Sequence, residues 1–114
     1  ITKITNKAGQ ETYLAWTFGL NAGSTYEAYK LEVDNAEGLT TVYDRSLTTD
    51  VCTITNWDGA SQLNKIVNTP VTGNTSLSSS IDYYVDAMTF ERWGYEYDAN
   101  NGLVINENYR PGWY

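Results

Sequence analysis

Apolar residues recur at every second position along most of this chain, and no long stretch repeats them at intervals of three and four. Period two is the mark of a β-strand with one face turned to a core, so the pattern predicts an all-β chain. The stretch from Thr12 to Phe18 sets Leu14, Trp16 and Phe18 on one face, and Ile1 to Ile4 is able to pair ahead of it. Asn21-Ala22-Gly23-Ser24 breaks the pattern. Tyr26 to Asp34 then alternates Tyr29, Leu31 and Val33 against Lys30, Glu32 and Asp34, as a half-buried antiparallel strand does. Asn35-Ala36-Glu37-Gly38 turns it into Leu39 to Asp44.

A further strand is predicted from Asp50 to about Trp57, ending at Asp58-Gly59, a pair that readily takes the positive φ of a tight turn. Leu63 to Val67 is a short apolar segment of either type. Asn68 to Ser80 is rich in Ser, Thr, Asn and Gly and holds Pro70, which predicts a loop or an irregular edge strand. Its Asn74-Thr75-Ser76 triplet is an acceptor for an N-glycan in a eukaryotic secreted protein. Ile81 to Thr89 places Ile81, Tyr83, Val85 and Ala87 on one face. A last hairpin runs from Phe90 to Asp98 and back from Leu103 to Asn108, and Arg110-Pro111-Gly112-Trp113-Tyr114 reads as an extended tail. No internal repeat stands out in the sequence.

The strand pattern suits one all-β domain, residues 1–114. Leu14-x-Trp16 resembles the second strand of a fibronectin type III or related Ig-like domain, with its core tryptophan. Tyr29-x-Leu31-x-Val33 resembles the third strand, and Leu77 followed by Tyr83-x-Val85-x-Ala87 resembles the corner and strand that carry that family's tyrosine. Where that corner usually has proline and threonine, this chain has Ser79 and Ile81. The resemblance implies an antiparallel β-sandwich of Ig-like or jelly-roll type. It names no activity, because that fold serves adhesion, carbohydrate binding, spacing and virion decoration alike.

Composition narrows the chemistry. The 114 residues carry seven basic and fourteen acidic side chains, a net charge of −7, which opposes nucleic acid and anionic membranes as partners. Histidine is absent, and with it the commonest general base, the commonest zinc ligand and every Ser-His or Cys-His nucleophile system. No enzyme activity and no catalytic residue are therefore expected. Cys52 is the single cysteine and sits in Val51-Cys52-Thr53-Ile54 like an ordinary strand residue. No apolar run is long enough to insert into a bilayer as a helix. Abundant Asn, Thr, Ser, Gly and Tyr fit an extracellular or virion surface, and an opening at Ile1 in place of Met fits a processed product or an excised domain.

Acidic residues are densest at Asp86, Glu91, Glu96 and Asp98, where a solvated strand face explains them. Asp98-Ala99-Asn100-Asn101-Gly102 resembles the opening of a calcium loop but lacks the alternating ligand spacing and a closing Glu, so it predicts a hairpin turn. No cofactor is expected, although a structural calcium elsewhere stays open. One feature points to a ligand. Trp93, Tyr95 and Tyr97 alternate with Arg92, Gly94, Glu96 and Asp98 and so put three rings on one strand face.

The meaning of those rings depends on hairpin register. A two-residue turn at Asn101-Gly102 places Tyr97 opposite Asn106, Tyr95 opposite Asn108 and Trp93 opposite Arg110. Rings, amides and a guanidinium would suit a sugar, whose C–H face stacks on an aromatic plane while its hydroxyls meet planar donors and acceptors. A three-residue loop at Asn100-Asn101-Gly102 instead places Tyr97 opposite Ile105 and Trp93 opposite Tyr109, and the rings then read as core. Trp57 and the terminal Trp113-Tyr114 are further exposed-anchor candidates. Two functions follow as expectations. The first is a non-catalytic extracellular module that binds a polysaccharide or glycan through Trp93, Tyr95 and Tyr97, with Arg92, Arg110, Asn106, Asn108 and Trp57 in support. The second is a structural subunit or decoration protein of a virion or surface filament, which would dock on copies of itself or on a host assembly by strand pairing and its aromatic tail.

Overall fold

A computed structural model describes residues 2–21, 23–86 and 89–109. They form nine antiparallel strands: β1 (Thr2–Thr5), β2 (Glu11–Leu20), β3 (Tyr26–Asp34), β4 (Leu39–Arg45), β5 (Cys52–Asp58), β6 (Ser61–Val71), β7 (Asn74–Tyr84), β8 (Phe90–Tyr97) and β9 (Leu103–Tyr109). Each pairs with its neighbours in sequence, so the nine make one open sheet in the order β1 to β9. All-β antiparallel architecture is as the period-two pattern predicts. The sheet is a single layer, and its radius of gyration of 17.1 Å exceeds the value of about 13 Å for a compact domain of this length.

Four of the eight hairpins share one turn. At Asn6, Asn21, Asn35 and Asp98 a side-chain Oδ1 accepts from the backbone N–H groups two and four residues on, at 2.8–3.0 Å. In each case the residue three further on has a positive φ: Gly9 (80°), Ser24 (60°), Gly38 (83°) and Asn101 (63°). This is a three-residue hairpin loop closed by a left-handed residue, with an Asx side chain taking the N–H groups that the turn leaves over. The sequence shows no repeat because only the Asn or Asp and the left-handed position are constrained. Gly fills that position without strain, while Ser24 and Asn101 hold it at some cost.

Asn68 to Ser80 is neither a long loop nor an edge: apart from the Thr72-Gly73 turn it lies within β6 and β7, in the interior of the sheet. Its hydroxyls and amides satisfy one another across the pair, as Ser78 Oγ donates to Asn68 Oδ1 (2.8 Å) and Ser79 Oγ to the Thr69 carbonyl (3.0 Å). Pro70 is tolerated because the register breaks on both sides of it. Leu63 to Val67 belongs to the same β6. A bulge in β3 removes Tyr29 from the Leu31–Val33 alternation, since Thr17 pairs with Lys30 and Phe18 with Ala28. Tyr29 turns toward Gly19 instead, where an added Cβ would lie 3.1 Å from its ring.

The two faces of the sheet differ in chemistry. Register through six strands lines up Trp16, Leu31, Tyr43, Ile54, Ile66 and Tyr83 as one cross-strand row, which ends at Glu91 on β8. The reverse face carries Lys30, Glu32, Asp44, Lys65, Asp82 and Arg92 among Thr and Val. Among the described residues no hydrophobic side chain is buried, and the two buried residues are Thr55 and Asp82 on the charged face. The Lys65 ammonium lies 4.4 Å from the centre of the Tyr84 ring on that face. Arg92 donates to both Asp82 oxygens at 2.7 and 2.9 Å.

Candidate functional site

The β8–β9 hairpin decides how the ring row is presented. Its loop begins earlier than either sequence reading supposes, by two residues for the two-residue turn and by one for the three-residue loop: the Asp98 N–H donates to the Gly102 carbonyl at 2.9 Å, and Ala99-Asn100-Asn101 are the loop. Asn101, not Gly102, takes the positive φ. A register shift between Glu96 and Tyr97 then sets Tyr95 opposite Asn106 and Trp93 opposite Asn108, while Tyr97 faces Leu103. The loop is thus of the three-residue kind. The added shift nevertheless restores the parity that sets rings beside amides, so both expected registers are corrected.

Trp93, Tyr95, Asn106 and Asn108 therefore share one face, the same that carries the apolar row. The three rings are half-buried. Asn108 Nδ2 donates to Glu91 Oε1 at 2.7 Å, which fixes the amide. Tyr97 Oη donates to the Ser78 carbonyl at 2.7 Å and pins that ring to β7. Tyr95 and Tyr97 line an open cleft of about 650 Å3 with Pro70, Leu77, Ser79 and Asp98. Asp98 is occupied by its own turn.

Two expected members do not join them. Arg92 lies on the reverse face, bound to Asp82, because it is one residue out of phase with the rings. Trp57 is also on the reverse face, opposite Thr40, and lines a separate hollow with Lys30, Glu32 and Val42. Arg110 lies outside the described residues, as does the Trp113-Tyr114 tail.

What the sequence reading missed is the larger feature on the ring face. Trp16, Tyr43 and Tyr83 are 52%, 45% and 41% exposed, and with Leu31, Ile54 and Ile66 they make the apolar row. An apolar hollow of about 400 Å3 opens over Trp16, Ala28, Leu31, Tyr43, Cys52 and Ile54. The flanking row Leu14, Val33, Thr41, Asn56 and Asn64 carries no charge, and its polar members bond within the sheet. Thr41 Oγ1 meets Asn56 Oδ1 at 2.7 Å, and Asn56 Nδ2 meets Asn64 Oδ1 at 2.7 Å. Each strand's alternation was legible, but the row needs the register of six strands, including the bulge at Tyr29.

One charged cluster braces the end of this face. Arg45 binds Glu27 (2.5 Å) and Asp50 (3.1 Å), and Asn21 donates to Glu27 at 3.1 Å, so β3, β4 and two loops are tied together. The Arg45 hydrogen bond, seconded by Asn21, holds the Glu27 carboxyl below its ordinary value of 4.5. A depressed carboxyl contributes stability that is complete above the unfolded value and is lost as pH falls through the folded one. The gap in unfolding midpoint between the native chain and Glu27→Gln is therefore expected at pH 7 and should close toward pH 3. Urea titrations at the two pH values check this, and a gap that persists at pH 3 refutes it.

Comparison with protein-family models, with curated proteins and with solved structures found no match to this chain.

Proposed function

We propose that this chain is a non-catalytic structural module, one layer of a β-sandwich that is completed when a second surface covers its apolar face. The observation that carries this is the exposed row from Trp16 to Tyr83, together with the absence of any buried hydrophobic side chain among the described residues. A sheet with one apolar face is stable when that face packs on another layer, and a contiguous apolar patch of this kind marks an interaction surface. The accessible surface of 7843 Å2, against about 6,300 Å2 for a compact monomer of this mass, supports the same reading. An extracellular or virion surface suits the Thr-, Ser- and Asn-rich composition. The missing histidine argues against catalysis.

The test is fluorescence of an apolar dye on the chain at nanomolar and at high micromolar concentration. Bright emission at dilution that falls as the protein assembles is expected. A monomer that unfolds cooperatively and never brightens the dye would remove the proposal.

A second reading is favoured by the rings set opposite amides. Trp93, Tyr95, Asn106 and Asn108, with the cleft beside Tyr95 and Tyr97, offer stacking planes and planar polar groups to a glycan. Affinity electrophoresis in polysaccharide gels tests it: retardation that Trp93→Ala abolishes, with the fold retained, is expected. Unretarded migration in every gel rejects it.

A further inference from the structure

We infer that the surface covering the apolar face is a second copy of this chain, packed face to face about a two-fold axis that runs along the strands between β4 and β5. The inference rests on the reading of the chain as an assembling layer and names its partner. Three observations favour a copy. The row reads aromatic, aliphatic, aromatic, aliphatic, aliphatic, aromatic, and that axis exchanges its ends, so Trp16 meets the partner's Tyr83, Leu31 the partner's Ile66 and Tyr43 the partner's Ile54. Large side chains then oppose small ones at the centre, as interdigitating sheets require, and the patch is self-complementary in the isologous sense.

Charge is the second observation. The chain has a net charge of −7, yet the row from Trp16 to Tyr83 and the Leu14–Asn64 row beside it carry none. The ionic side chains of Lys30, Glu32, Asp44, Lys65 and Asp82 point the other way, so in the dimer they lie on opposite outer surfaces. There they are separated by two sheets and by more than a Debye length of about 8 Å. In the third row, that of Cys52, Arg45 is already paired with Glu27 and Asp50, so two acidic copies stack without burying an unpaired charge.

Area is the third. Six strands at about 4.8 Å spacing and three rows at about 7 Å, with side-chain width added, cover roughly 600 Å2 in projection. Surface relief brings that near the ~800 Å2 per partner of a stable interface.

Cys52 supplies the decisive probe. It is exposed, lies beside Ile54 on the same face, and belongs to β5, the middle strand of nine. Face-to-face packing at about 10 Å between sheets brings the two Cys52 Cα atoms to about 11 Å. Pairing through sheet edges would hold them at least about 40 Å apart. The full chain is run in sedimentation equilibrium from 1 to 200 µM, and a bis-maleimide with a spacer of about 8 Å is added to the same samples. A dimer whose affinity rises with salt, covalent dimer from the reagent, and association weakened about 100-fold by Ile54→Lys but unchanged by Thr53→Lys on the reverse face are expected.

A dimer that the reagent does not link would overturn face packing in favour of edge pairing. A monomer at every concentration that still brightens an apolar dye overturns the second copy and leaves the assembling layer standing with another partner. A monomer that does not brighten the dye overturns both. If Ile54→Lys fails to fold, the cross-link and the salt dependence on the native chain decide alone.

Discussion

Arg92→Met is expected to cost about 3 kcal/mol of stability, whereas Asp82→Asn on the other side of the same ion pair costs about 1 kcal/mol. The asymmetry follows from burial. The Asp82 side chain is 8% exposed and that of Arg92 is 46% exposed, so the guanidinium regains water when its partner is neutralised but the carboxylate does not. Stranding a charge in a poorly hydrated place is the large penalty in any broken pair, and exposure of Arg92 keeps the figure at the lower end of that range. The carboxylate takes the guanidinium side-on through both oxygens, at 2.7 and 2.9 Å, across the β7–β8 register pair Asp82↔Arg92. Asp82→Leu combined with Arg92→Met should recover most of the deficit, because the stranded carboxylate is then gone. Urea midpoints for the native chain, both single variants and the double variant check the pattern. Equal losses from the two single variants would show that burial does not set the order.

The strand alternation made most of the sheet legible. Leu14 and Trp16, Leu31 and Val33, and Trp93 and Tyr95 each share a face as period two requires. Two kinds of error came from treating composition as local structure. Asn68 to Ser80 looked like a loop because Ser, Thr, Asn and Pro mark loops on average, yet Ser78 and Ser79 find partners across β6 and make a strand of them. Arg92 is a chemical match for the rings and Trp57 stands beside a turn, yet their phase along β8 and β5 puts both on the reverse face. The ring register could not be read because it depends on which Asx residue caps the turn. Asn101-Gly102 is the strong hairpin signal in isolation, but Asp98 captures the N–H groups of Asn100 and Gly102 and starts the loop two residues earlier.

That capture makes Asp98→Ala the second large effect, with an expected loss of about 2 kcal/mol and a change in what faces Trp93. The carboxylate stabilises the loop by accepting at 2.9 Å from Asn100 and at 2.8 Å from Gly102, charge-assisted bonds worth more than neutral ones. It also holds Asn101 at a φ of 63°, a conformation with an intrinsic cost of about 1 kcal/mol for a residue bearing a Cβ. Once the carboxylate is removed, the neighbouring Asn101-Gly102 pair becomes the better turn, since Gly102 takes positive φ without strain. A two-residue turn there slides β9 along β8 by two positions, so Tyr95 trades Asn106 for Asn108 and Trp93 loses its amide partner. The face parity is kept, so the apolar row is undisturbed and any assembly through it should survive. Cross-strand nuclear Overhauser contacts between Trp93 and Asn108 in the native chain, absent from Asp98→Ala, are the measurement. Asn101→Gly is the control, because it relieves the strained φ while leaving Asp98 in place, and should raise the unfolding midpoint with the Trp93–Asn108 contact intact. Retention of that contact in Asp98→Ala would mean that the pairing of β8 and β9 themselves, and not the turn, sets the register.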